Sequence, residues 1–104
     1  MIRIHIVQNK QVLKKIILEG HANYNEYGKD IVCAAVSATY LCTINGIFAL
    51  NGETIKVEDN NDKKIIKVLN YDKTTITLLE NMIRCLTSLE KQYPKNIKLD
   101  KEEE

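Results

Sequence analysis

Arginine is scarce in this chain. Lysine carries nearly all the positive charge, and Arg3 and Arg84 are the only guanidinium groups. Bidentate recognition of phosphates or base edges therefore has few donors to work with. Fifteen basic residues nearly balance fourteen acidic ones, for a net charge of +1. That leaves no surplus to drive binding to a nucleic-acid backbone, and no direct nucleic-acid contact is expected. A secretory signal is not expected either, because Arg3 and His5 interrupt the first apolar run and no small-residue cleavage site follows. The three cysteines are an odd number without close pairing. They match no zinc signature, and two histidines supply too few further ligands. No metal or cofactor is expected, and the thiols read as free in a reducing cytoplasm. No internal repeat, low-complexity linker or second domain is visible. At 104 residues the chain reads as a single domain over 1–100 with a frayed acidic tail at 101–104.

One long stretch lacks charge altogether. From Ile31 to Gly52 no residue is ionic, and the run is long enough to cross a bilayer. It nevertheless contains Ser37, Thr39, Thr43, Asn45 and Gly46, and amphipathic elements flank it. It reads as a buried core helix rather than a membrane span.

The remaining pattern supplies an order of elements. Ile2, Ile4 and Ile6 alternate with Arg3, His5 and Val7, a strand with one buried face. Gln8–Lys10 reads as a turn, and Gln11–Glu19 as a second strand ending at Gly20. A polar loop then leads into the helix over Ile31–Leu50, stopped at Asn51–Gly52. Two short strands near Thr54–Glu58 and Lys63–Leu69 flank the turn Asp59–Asp62. A second helix begins near Asp72–Thr75, with Ile76, Leu79, Met82, Ile83, Leu86, Leu89 and Tyr93 on its dry side. Pro94 ends it, and Asn96–Leu99 adds a possible edge strand. The pattern predicts an α+β fold: a two-layer ββαββα(β) domain whose small, mostly antiparallel sheet carries two helices on one or both faces. Cys42 and Cys85 read as core, and His5 as surface. The first helix is apolar or small nearly all round, more than a small domain can cover, so a homodimer is expected.

The chemistry concentrates between Gly20 and Ser37. With Asp30 as N-cap, Cys33 falls in the helix's first turn, among backbone N–H groups without helical partners. The positive end of the helix dipole favours thiolate, the reactive form of cysteine. His21 starts the preceding loop and reaches Cys33 if that loop folds back. The bland readings are a small buried apolar cysteine and a solvated loop histidine.

Gly20-His21-Ala22, followed by Gly28-x-Asp30-Ile31-Val32-Cys33-Ala34-Ala35-Val36-Ser37, closely resembles the signature of the ribosomal-processing cysteine proteases, the Prp family. The resemblance covers nearly the whole chain. It implies a cytoplasmic, homodimeric bacterial endopeptidase acting on the N-terminal extension of the large-subunit ribosomal protein number twenty-seven. It also implies Cys33 as nucleophile and His21 as general base. Asp30 is the natural helix cap and is also placed to orient His21, two roles that are not exclusive. Ser37, one turn beyond Cys33, is either a packing hydroxyl or a support for Cys33. Backbone N–H groups of Cys33 or Ala34 are expected to hold the oxyanion. In the loop, Tyr24, Glu26, Tyr27 and Gly28 are candidate substrate contacts, the tyrosines also being ordinary turn residues. The whole loop is expected to be mobile until substrate binds. The competing function is a non-catalytic ribosome-biogenesis module that only binds through the same loop.

Overall fold

The structure is a computed structural model that describes residues 1–26, 29–60 and 62–104. Strand β1 (Ile2–Asn9) pairs antiparallel with β2 (Val12–Glu19), with Ile4 opposite Leu18 and Ile6 opposite Ile16. Period-two alternation therefore puts all four side chains on one face. The hairpin turns through Lys10 and Gln11, both with left-handed φ, one residue later than the sequence suggests. A bulge between Val7 and Gln8 shifts the register beside it.

After β2 come helix α1 (Ile31–Asn51), a short 3-10 turn, β3 (Ile55–Asn60), β4 (Lys63–Val68), helix α2 (Lys73–Gln92) and β5 (Ile97–Glu103). The sheet order is β3-β4-β2-β1-β5, antiparallel throughout except where β5 runs parallel to β1. The fold is α+β, as the pattern predicts. Both helices pack on the same face. Val32, Val36, Tyr40, Ile44 and Ile47 of α1 join Leu79, Met82 and Leu86 of α2 in one core with Ile2, Ile4, Ile16, Ile66 and Ile97. The other sheet face carries Arg3, His5, Ile17, Lys67 and Asp100 by register.

Three expectations are corrected. Residues 101–103 do not fray. They extend β5, with Lys101 opposite Ile6 and Glu103 opposite Gln8. The backbone groups on that side of β1 need partners, and the strand pairing that satisfies them outweighs repulsion among the glutamates. Cys42 and Cys85 are exposed rather than core, because both lie off the buried stripes of their helices.

His5 is only part surface. Its Nδ1 lies 2.9 Å from Asp100 and its Nε2 3.0 Å from Glu19, so it ties β5 and β2 across β1. The Asp100 hydrogen bond is the main reason its pKa is raised above the ordinary histidine value; burial opposes that, and Glu19 adds to it.

Candidate active site

The start of α1 is built by Asp30. Its Oδ1 accepts the N–H groups of Val32 (3.0 Å) and Cys33 (2.9 Å), closing the exposed end of the helix. Its Oδ2 accepts the Tyr24 N–H at 3.0 Å, so one carboxylate fastens both helix and loop. Desolvation pushes its pKa up, but the hydrogen bonds from Cys33, Tyr24, Asn25 and Val32 outweigh that and hold it below the ordinary carboxylate value. This arrangement bears on two expectations. Asp30 is the helix cap that the sequence indicates, and its oxygens are engaged by backbone N–H groups. The N–H groups of Cys33 and Ala34 are also engaged already, by the Asp30 side chain and carbonyl. For the Cys33 N–H to hold an oxyanion, Asp30 must first release it.

His21 enters the site through Gly20. That residue has φ +91°, and a Cβ there would lie 2.4 Å from the Met1 carbonyl oxygen, so glycine alone fits the corner out of β2. His21 then finds a partner that the sequence did not suggest. Its Nε2 lies 2.8 Å from Asp62 Oδ1, in an exposed pair. The same residue's carbonyl accepts the Gly20 N–H at 3.0 Å. The run Asp59–Asp62 signals a turn and nothing more. Asp62 reaches His21 because β4 pairs antiparallel with β2, with Lys63 opposite Glu19. That is a fact of sheet register, with no local trace in sequence.

Two cavities meet at Cys33. The larger, about 420 Å³, is lined by His21, Asn23, Asn25, Asp30, Cys33, Ala34 and Ser37. The smaller, about 230 Å³, adjoins His21, Cys33, Ser37 and Asp62, with Ile2, Leu18, Val36 and Tyr40 as its apolar wall and Glu19 and Lys64 on its polar side. Three of the residues singled out in the sequence, His21, Cys33 and Ser37, line both. Asn23, Asn25, Tyr40, Asp62 and Lys64 were not anticipated. Tyr40 does carry a signal, because it follows Val32 and Val36 at four-residue spacing on the buried stripe of α1. Burial, and secondarily the Asp59 carboxylate, raise its pKa to about 12, so its hydroxyl stays protonated.

The candidate substrate contacts fare differently. Tyr24 packs edge-on against Tyr93, ring centroids 5.5 Å apart, and Glu26 pairs with Lys29 at 3.0 Å. Neither is among the residues lining the two cavities. Tyr27 and Gly28 lie outside the described residues. The early part of the loop is also more anchored than its polar sequence suggests. Ala22 is buried and its carbonyl accepts the Asn96 side chain. Among the described residues, one group has metal-ligand spacing: His5, Asp100 and Glu102, with ligand atoms within 4.8 Å. Its histidine already pairs with its acids.

Known proteins resemble this chain in sequence and fold. The model of a family described as cysteine protease Prp matches residues 1–98. A ribosomal processing cysteine protease Prp of Staphylococcus aureus is 34% identical over 105 residues, spanning 96% of this chain and 98% of the relative. Its Bacillus subtilis counterpart is 28% identical over 89 residues, spanning 79% of this chain and 80% of its own. A crystal structure of an essential ribosomal processing protease Prp from S. aureus, in complex with a covalently linked product peptide, superposes with a TM-score of 0.93. That match is at 29% identity and covers 98% of this chain and all of the other.

Proposed function

We propose a mechanism, a substrate and an assembly from one premise: the chain belongs to the cysteine protease Prp family and is a cysteine protease. In our reading Cys33 is the nucleophile and His21 the general base. The supporting observation is that Cys33, alone of the three cysteines, lines the cavities it shares with a histidine. His21 accepts the thiol proton, and the sulfur adds to the scissile carbonyl. The tetrahedral intermediate collapses as His21 returns the proton to the leaving amine, leaving a thioester on Cys33. Water then attacks that thioester with His21 again as base, releasing the new carboxylate and the free thiol. An N–H at Nε2 donating to Asp62 leaves the Nδ1 lone pair to take the proton.

The proposed substrate is the N-terminal extension of the large-subunit ribosomal protein number twenty-seven. A free terminus arrives extended, as a site between a loop and a helix start requires. The smaller cavity is of a size and polarity to take one bulky apolar side chain before the cleaved bond, against Ile2, Leu18, Val36 and Tyr40. This wall takes the place of the Tyr24 contact suggested by sequence, since Tyr24 packs on Tyr93. Glu19 and Asp62 beside the same cavity are the acids available to a lysine after the bond. Two observations support this reading: the relatives are ribosomal processing proteases, and one solved relative is in complex with a substrate peptide. The assembly we propose is a cytoplasmic homodimer formed through α1. Its outward side leaves Ile31, Leu41, Phe48 and Leu50 half or more exposed, a surface that a second copy can cover.

Intact-mass spectrometry of the ribosomal protein after incubation with this chain tests the substrate. A single N-terminal truncation made by the parent but not by Cys33→Ala supports it. An unchanged mass, or cleavage that persists in the variant, refutes it.

A further inference from the structure

His21 has a problem that its immediate neighbours do not solve. Its side chain is 65% exposed and its ion-pair partner Asp62 is 74% exposed, so solvent competes for both. Few side-chain contacts hold the ring, and its place depends on the backbone carrying it. That backbone is gripped on both sides. Before it, the Gly20 N–H donates to the Asp62 carbonyl. After it, the Ala22 carbonyl accepts a hydrogen bond from Asn96 Nδ2 at 2.9 Å, across 74 residues of sequence.

Asn96 is itself rigidly placed. It stands in the corner between α2 and β5, where its N–H donates to the Tyr93 carbonyl at 2.9 Å and its carbonyl accepts the Ile2 N–H at 2.8 Å. The corner makes a second contact with the loop, the edge-on packing of Tyr93 against Tyr24. Between the corner's two contacts, at Ala22 and Tyr24, lies Asn23, held at φ 56°, a left-handed conformation that costs energy unless its surroundings impose it. We propose that the α2–β5 corner, through the Asn96 carboxamide and the Tyr93 ring, positions the loop that carries His21. Asn96 and Tyr93 are then positioning residues for cleavage although neither lines the cavities at Cys33. This rests on the assignment of His21 as general base made above.

Steady-state kinetics on a cleavable peptide test it. Asn96→Asp keeps the shape but replaces the donor with an oxygen that repels the Ala22 carbonyl. It is expected to lower kcat by about 10- to 100-fold, the effect of displacing a reacting group by around an ångström, with KM within about twofold. Tyr93→Leu is expected to act in the same direction, whereas Tyr93→Phe, which keeps the ring, should match the parent. Amide exchange at Ala22–Tyr24 should quicken in Asn96→Asp while exchange in β1 stays unchanged. If Asn96→Asp does not fold, Asn96→Ala is read by the same criteria. Turnover within about twofold of the parent, or a loss of kcat that merely tracks the unfolded fraction, overturns the proposal. His21→Ala separates the two readings. An active His21→Ala removes the general-base assignment and the positioning role with it. An inactive His21→Ala alongside an unimpaired Asn96→Asp removes the positioning role alone.

Discussion

The two helices are nearly equal in length and lie on the same face of the sheet, yet they solve opposite problems. α2 buries Thr75, Leu79, Met82 and Leu86 and turns Lys73, Glu80, Arg84 and Lys91 to water. The sheet and α1 together cover all that needs covering. α1 buries Val32, Val36, Tyr40, Ile44 and Ile47, but its far side is uncharged and still apolar. Both helices carry an aspartate cap, and both caps are conventional in geometry. Only α1 begins where a loop histidine and two cavities converge on its first turn. The lesson is that a helix N-terminus becomes a candidate active site through what the rest of the fold brings to it.

The largest expected effect breaks the comparison at the cysteines. Cys33→Ala and His21→Ala should each lower peptide cleavage by more than about 10³-fold, with the double variant little worse than either, because nucleophile and base act together. Cys85→Ala, on the exposed side of α2, should leave cleavage intact. Additive losses in the double variant would show that His21 and Cys33 work independently.

Next come the faces. Leu86→Ala removes a fully buried side chain of α2 and should cost about 2–5 kcal/mol in denaturant unfolding. Phe48→Lys on the outward side of α1 should hardly change the stability of a monomer but should shift the sedimentation coefficient from dimer to monomer. A monomeric parent, or a dimeric Phe48→Lys, would end the proposal that α1 forms the interface.

The caps give a smaller and sharper contrast. Asp30→Ala and Asp72→Ala should each destabilise by about 1 kcal/mol. Cleavage should fall only in Asp30→Ala, since that carboxylate also holds Tyr24. Equal kinetic losses in both would mean that the Asp30 tether does not matter.

The smallest effect lies away from both helices, at His5. Its pKa is raised in the folded chain, so its pairing with Asp100, Glu19 and Glu102 adds stability below about pH 6.5, the unfolded value. That contribution disappears as pH rises through the higher folded value. Unfolding midpoints of the parent should therefore show a component, falling as pH rises past about 6.5, that His5→Gln lacks. Identical pH profiles would indicate that the cluster contributes nothing to docking β5.

What the sequence by itself determined is the local architecture. The strand alternation at Ile2–Ile6, the capped start of α1 with Cys33 in its first turn, and the amphipathic stripe of α2 each depend on residues within about a turn or two. That is why they were legible without coordinates. The candidate pair His21 and Cys33 was legible too, because the spacing of a whole motif supported it. Tertiary structure alone decided which acid pairs with His21 and where residues 101–103 go. Asp62 reaches His21 through the pairing of β2 with β4, Asn96 reaches Ala22 through the corner before β5, and the acidic tail is ordered by β1. Each of these joins residues tens of positions apart. Such contacts form because backbone hydrogen bonding and burial bring whole elements together, and no local pattern of residues records which side chains will then face each other.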